Sequence, residues 1–368
     1  MKDIIGVLLV NLGTPDNFKT SDVRHYLNEF LTDERVIDIP WLPRQLLVRG
    51  IITPFRAGNS AKSYKAIWTD RGSPLKYISE DLTALVQESL QQCETENVSF
   101  EVALAMRYQS PSIALGLEYL RSKNVTHYII VPLFPQYASA STGSVHQKVM
   151  EIVSGWLTIP SISFVNSFFN HSLFIEAFAE RGREHDVNQY DHVLFSFHGL
   201  PERQLRKSNE QGYCLTEKSC CETFQTKNRF CYAAQSWETA RAIADKMQLP
   251  REKYSISFQS RLGNDPWIQP YTIQVLEQLA KEGKKKILVF CPAFVADCLE
   301  TIFEISEEYQ EAFTHWGGEK LQLVESLNTH PLWVATLQSL ILEHTPKSED
   351  YDFNQFRGDL KVLPLLKK

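Results

Sequence analysis

Eight short apolar runs constrain this chain more than any other feature: residues 4–10, 100–105, 127–131, 162–165, 193–197, 254–258, 286–290 and 321–324. Each is followed by turn residues, and longer amphipathic stretches such as 238–247 and 270–281 lie between them. Strand-length runs alternating with helical patterns predict βαβ units and parallel sheets, an α/β fold. A weak internal repeat sharpens this: GVLLVNLGTP (6–15) resembles HVLFSFHGLP (192–201), and HYIIVPLFPQYAS (127–139) resembles KKILVFCPAFVAD (285–297). Two similar α/β halves are therefore expected. Open α/β sheets bind ligands beyond the carboxyl ends of their strands, so function is sought in the residues that follow these runs.

At 368 residues, with 43% hydrophobic and 22% charged residues, the chain has room for two soluble domains. A net charge of -6, with no basic run longer than that at 284–286, argues against a nucleic-acid partner. The apolar run at 4–10 passes at once into a turn and reads as a strand, not a signal peptide. No stretch approaches the roughly 18 apolar residues of a membrane span. Seven cysteines in such a chain read as thiols or metal ligands rather than a disulfide framework, and the cytoplasm is the expected location.

CPAFVADCLETIFEI (291–305) follows one of the runs. At 100° per residue Asp297, Glu300, Glu304 and Glu308 form one stripe, with Leu299, Ile302, Phe303 and Ser306 pointing away. Like charges at i, i+4 repel, and no Lys or Arg lies within the stripe. A solvated acidic face would explain it; its place after a strand favours a functional reading. His198 ends another run and is followed by Gly-Leu-Pro, where an imidazole can accept a proton or bind a metal near neutral pH. Histidine and stacked carboxylates at strand mouths suggest divalent metal, protons or both. HExxH, P-loop, GxGxxG and GxSxG patterns are all absent.

NLGTPD (11–16), FLTDERVIDIP (30–40), GSPL (72–75), FPQYASASTGS (134–144), FSFHGLPER (195–203), FQSRLGNDPW (258–267) and CPAFVADCLET (291–301) together resemble the ferrochelatase family, in the family's order and over nearly the whole chain. The resemblance implies two similar Rossmann-like domains with parallel sheets, a porphyrin cleft between them, and insertion of ferrous iron into protoporphyrin IX to form protohaem. Domain boundaries expected on this basis are 1–155 plus 328–368 for the first domain and 156–327 for the second, which carries His198 and the acidic helix.

By the same resemblance His198 is the residue needed for metallation, as proton acceptor or iron ligand, with Glu300, Glu304 and Glu308 as an inner acidic row and Glu300 beside the substrate iron. Elementary chemistry agrees: a dication entering a neutral porphyrin must displace two N–H protons and shed water, and carboxylates accept protons and replace water around a hard cation. Leu12, Met106, Arg107, Tyr108, Tyr137 and Trp267 match positions that contact the porphyrin or frame its pocket, Arg107 being suited to a propionate. Core packing is the competing explanation for each. Leu12 stands where the coproporphyrin-type branch has Tyr, which points to protoporphyrin IX. WLPRQLLVRGIITPF (41–55), with Trp41, Leu46, Leu47, Ile51 and Ile52, reads as a buried helix or, by the resemblance, as an apolar lip in peripheral contact with a membrane.

Cys214, Cys220, Cys221 and Cys231 crowd an insertion between the His198 turn and a helix expected to start near Ser236. Four thiolates suit a two-iron two-sulfur (2Fe–2S) cluster or zinc, although C-x5-C-C-x9-C matches neither zinc-ribbon nor plant-ferredoxin spacing; a metal-free loop is the alternative. Some family members carry a 2Fe–2S cluster. Ser139 occupies a position that is a cluster Cys in the animal pattern, and the Cys-bearing C-terminal extension of that pattern is missing, which excludes the animal-type cluster. Some bacterial members of the family gather all four ligands in one internal segment, and resemblance to those implies a cluster held by these four cysteines. Cys298 stands where many members have His, and Cys93 and Cys291 read as structural. A porphyrin or metal carrier without turnover, a coproporphyrin III ferrochelatase, and a cobalt chelatase remain as alternatives.

Overall fold

A computed structural model describes residues 2–346 apart from 210, 211, 216–219, 262 and 264. Expectations falling on 347–368, and on Leu262 and Asn264 of the FQSRLGNDPW segment, lie outside the described residues. The chain divides into two compact units. The first holds everything up to Phe134, Ala138–Ser167 and the chain from Asn328; the second holds Pro135–Tyr137 and Phe168–Leu327.

Each unit carries one four-stranded, all-parallel sheet. In the first, β1 (Asp3–Gly13), β2 (Val98–Tyr108), β3 (His127–Pro132) and β4 (Ser161–Phe164) lie in the order β2-β1-β3-β4. In the second, β5 (His192–His198), β6 (Tyr254–Gln259), β7 (Lys286–Phe290) and β8 (Lys320–Leu323) lie in the order β6-β5-β7-β8. The orders are the same once shifted by four strands. All eight apolar runs are strands, and the internal repeat is a repeat of topology. The pairing of β4 with β3 carries the first unit as far as Ser167.

Hydrophobic runs without alternation are what a parallel sheet covered on both faces requires. Ile5–Val10 is apolar except for Gly6 and wholly buried. In the first unit Leu8, Val10, Ala105 and Ile130 pack on Leu117 and Val145 from flanking helices. Leu194, Ile287 and Val289 do the same in the second with Leu276, Ile305 and Phe313.

The repeat also explains two glycines. Gly13 and Gly199 occupy matching places in the repeat, Gly13 as the last residue of β1 and Gly199 just beyond β5. A Cβ on Gly13, whose φ is +110°, would sit 2.0 Å from the Tyr108 carbonyl oxygen. One on Gly199 would sit 2.8 Å from that of Gln259. Only glycine lets the chain leave each central strand so close to its neighbour.

β2 is an edge strand, and its outward backbone is occupied by side chains. Gln87 donates to the Phe100 carbonyl (3.0 Å) and accepts from Val102 N–H (2.7 Å), while Glu94 accepts from Phe100 N–H (3.2 Å).

Two local expectations differ from what is observed. The helix expected near Ser236 starts at Tyr232, with Cys231 in the N-cap position. The segment 41–55 is not a buried helix: Trp41–Leu47 is helical, Val48–Ile52 widens into a π-turn, and Thr53–Ile67 continues as α-helix. Trp41, Leu42, Leu46, Ile51 and Phe55 are all more than half exposed, whereas Arg44 is buried and donates to the carbonyls of Ile37 (3.4 Å) and Ile39 (2.9 Å). No helix among the described residues is long and apolar enough to cross a membrane.

Candidate active site

His198 is the last residue of β5, half-buried, and its backbone partner across the sheet is Gln259 at the end of β6. Its Nδ1 lies 2.6 Å from the Gly199 carbonyl oxygen. A carbonyl only accepts, so Nδ1 carries the hydrogen and Nε2 of the neutral ring keeps its lone pair. Among the described residues Nε2 makes no hydrogen bond. Trp267 and Phe294 flank the ring with centroids 6.5 and 6.2 Å away, and the buried Tyr232 hydroxyl donates to the His198 carbonyl (2.8 Å).

The acidic helix departs from α-geometry. Leu299–Tyr309 is a π-helix, capped by Cys298 and Thr301. Bonding from i to i+5 changes the angular step, so the arithmetic of 100° per residue misplaces the inner face. Thr301 and Ile305 are the buried residues, not Leu299, Ile302, Phe303 and Ser306. Asp297 leaves the row altogether; its Oδ1 accepts from Thr301 Oγ1 (3.1 Å) and Ser326 N–H (3.2 Å) and anchors the helix start. Glu300 and Glu304 are half-buried, and Glu308 is exposed.

Glu304 is the best-held carboxylate of the three. It accepts from Ser260 N–H (2.9 Å), Ser260 Oγ (2.5 Å), Gln259 Nε2 (3.1 Å) and Tyr309 OH (2.7 Å). Gln259 Nε2 also donates to the Glu300 carbonyl (2.8 Å), and its Oε1 accepts from Ser196 (2.6 Å). Gln259 thus joins the partner strand of His198 to the acidic row. Although Glu308 is exposed, partial desolvation of its carboxyl, then the charge of Glu304, raises it above its usual value. Burial above all, with Glu304 next, pushes the Tyr309 phenol well up, so it stays a donor. Cys298 and Cys291 thiols are pushed up chiefly by burial and remain protonated. Gln259, Ser260 and Tyr309 carried no functional assignment in the sequence. Gln259 and Ser260 sit where a strand ends, the position from which α/β folds present side chains.

The remaining expected residues fall into two groups. In the first unit Leu12 is half-buried at the end of β1, while Met106 and Tyr108 are fully buried at the end of β2. Between them Arg107 keeps 15% of its side chain exposed and pairs with Asp33 (2.6 Å). In the second unit Tyr137 is half-buried, its N–H bonded to Gln235 (2.7 Å), and Trp267 is buried beside His198.

Cys214, Cys220, Cys221 and Cys231 are buried and converge. The sulfurs of Cys220 and Cys221 are 3.4 Å apart, those of Cys221 and Cys231 3.7 Å, and Cys214 also bonds Cys231. Asn228 ties the loop together by donating to the carbonyls of Cys220 (3.0 Å) and Thr223 (2.8 Å). Hydrogen bonds from Cys214 and Cys221 lower the Cys231 thiol to about 3, while the same contacts push Cys214 and Cys221 up. One thiolate is thereby solvated by neighbouring thiols. Four buried soft donors fit an iron–sulfur cluster in kind and number. Their present spacing is that of thiol contacts, and among the described residues no set of three or more His, Cys, Asp or Glu side chains is arranged around a metal position.

The sequence profile of the ferrochelatase family matches residues 4–345. The chain belongs to the ferrochelatase family. A ferrochelatase of Legionella pneumophila is 43% identical over 92% of this chain and 98% of its own. Ferrochelatases of Coxiella burnetii and Ectopseudomonas mendocina are each 42% identical, covering 91% and 93% of this chain and 92% and 98% of theirs. Among solved structures, SirB from Bacillus subtilis with Fe3+ superposes with a TM-score of 0.53 at 14% identity, covering 95% of this chain and 98% of that one, which is a likeness of fold.

Proposed function

We propose that the protein inserts ferrous iron into protoporphyrin IX to form protohaem. The observation that carries this is His198, with Nδ1–H fixed on its own turn and the Nε2 lone pair unused, linked through Gln259 to a row of carboxylates that passes from half-buried Glu300 and Glu304 to exposed Glu308. Two pyrrole N–H protons leave as one Fe2+ enters, so charge balances without any electron transfer. Nε2 of His198 takes a proton or steadies the metal, Glu300 lies beside the iron, and the row passes protons outward, helped by a Glu308 carboxyl raised above its ordinary value. Leu12, Arg107, Tyr137 and Trp267 are assigned to the macrocycle, with Met106 and Tyr108 supporting it from behind. Leu12 in place of Tyr favours protoporphyrin IX over coproporphyrin III.

The four cysteines are assigned to a 2Fe–2S cluster. Cys214, Cys220, Cys221 and Cys231 would hold it, and it takes no part in metallation because that reaction moves no electron. The exposed apolar face of Trp41, Leu42, Leu46, Ile51 and Phe55, with exposed Arg49 and Arg56 beside it, is suited to peripheral contact with an anionic membrane on the cytoplasmic side.

One experiment tests the central reading: anaerobically purified protein is scanned in the visible, then given protoporphyrin IX and Fe2+. Haem formation supports the enzyme, whereas porphyrin binding without metallation favours a carrier. Bands that bleach with dithionite and vanish in Cys220→Ser support the cluster; a colourless protein that still makes haem removes it.

A further inference from the structure

Asp33 lies just beyond the helix Thr20–Leu31, in the segment FLTDERVIDIP, and no role has been given to it. Its side chain is 5% exposed, and a single oxygen, Oδ2, accepts from Arg107 Nη2 (2.6 Å), Ser144 Oγ (2.5 Å) and Tyr108 OH (2.9 Å). Ser144 Oγ in turn accepts from Arg107 Nε (2.6 Å), and the guanidinium lies 4.6 Å over the Tyr108 ring. The guanidinium is therefore held along two of its donor directions and matched by an opposite charge at contact distance. Such a pair offers a dipole and a spare N–H edge, not a net positive charge.

We propose that Asp33 sets the carboxylate preference of the porphyrin site. By neutralising Arg107 it lets the guanidinium hydrogen-bond one propionate and withholds the charge that a tetracarboxylate porphyrin would exploit. Asp33 is a positioning residue, acting through Arg107, and the assignment rests on the porphyrin reading above.

The test compares kcat/KM for a dicarboxylate porphyrin, protoporphyrin IX, with that for a tetracarboxylate one, coproporphyrin III, at low and high ionic strength. Asp33→Asn frees the Arg107 charge and should tilt the ratio toward the tetracarboxylate by about tenfold at low salt, through KM rather than kcat. The tilt should shrink as salt rises. Arg107→Gln strands the Asp33 charge and should tilt the ratio the other way, and the double variant should return near the wild-type ratio. Equal losses on both porphyrins, or a tilt indifferent to salt, would show that Asp33 is only scaffolding and overturn the proposal. Should Asp33→Asn not fold, Asp33→Ser, which removes the same charge, is read in its place, with the same expected tilt and the same overturning result. A wild-type protein that metallates neither porphyrin defeats the porphyrin reading itself, a result separable from any change in ratio.

Discussion

The same place in the two units holds opposite chemistry. The repeat sets Leu12 against His198. Arg107, between the register partners of Asn11 and Gly13, matches Gln259, the register partner of His198. Buried Ala138 and Cys298 both cap π-turns, which makes Ser144 the counterpart of Glu304, six residues on in each case. In the first unit a cation and a hydroxyl at this address lean on an acid supplied from a distant loop, Asp33. In the second the acid is on the helix itself, and neutral donors from Gln259 and Ser260 hold it. The backbone fixes where a polar group projects; the residue chosen decides whether that point suits a substrate carboxylate or suits protons and metal.

Copying one unit into the other breaks the comparison. His198→Leu, which reproduces Leu12, should lower haem formation by at least about 100-fold while porphyrin binding, followed by fluorescence titration, persists. Loss of binding instead would mean that the ring only supports the pocket. Glu304→Ser reproduces Ser144 and should cost about tenfold or more in kcat. It also strips the acceptor from Gln259 and Ser260, a destabilisation of about 1–3 kcal/mol seen in urea melts. An unchanged kcat would take Glu304 out of the proton path.

pH sharpens the comparison further. Each unit bonds a strand-initial histidine to a serine on a neighbouring strand, His127 to Ser163 (2.9 Å) and His192 to Ser255 (2.8 Å). Burial lowers both rings, His192 to about 4, with Lys284 and Lys253 adding to the effect. A depressed pKa gives stability that is whole above the unfolded value near 6.5 and lost as pH falls toward about 4. His192→Gln should flatten that decline by up to about 3 kcal/mol, and His127→Gln by less. Equal effects in urea melts at stepped pH would erase the difference between the units. The smallest effect belongs to Glu308. Its carboxyl is raised, so ionising it weakens the fold as pH climbs through its folded value. Glu308→Gln should lift the melting temperature slightly at pH 7 and not below the ordinary glutamate range. An equal lift at both pH values would trace the gain to something other than charge.

Much of this was legible in the chain. His198 and the three glutamates stand out by their place after strands, their roles coming only from the family resemblance, whereas all eight strands and the repeat declare themselves through apolar runs, since buried parallel strands leave little sequence freedom. The inner face of the acidic helix did not, because a π-helix defeats an α-helical template, and Asp297 proved to be an anchor. Gln259, Ser260 and Asp33 are ordinary polar letters whose importance comes from partners far away in sequence, and single-residue chemistry cannot reveal such pairings. Periodicity was equally silent on the exposure of Phe55 and Trp41, because an apolar helix reads alike whether it faces a core or water, and only the family resemblance offered the exposed lip.

The side chains along β2 have a further consequence. Bare strand edges recruit strands from other molecules, and long apolar ones seed aggregates. Gln87 behaves as a one-residue imitation strand, offering Phe100 and Val102 both partners that an incoming chain would offer. The first sheet is thereby sealed against growth at that point, which protects solubility at high concentration or while neighbouring copies are only partly folded.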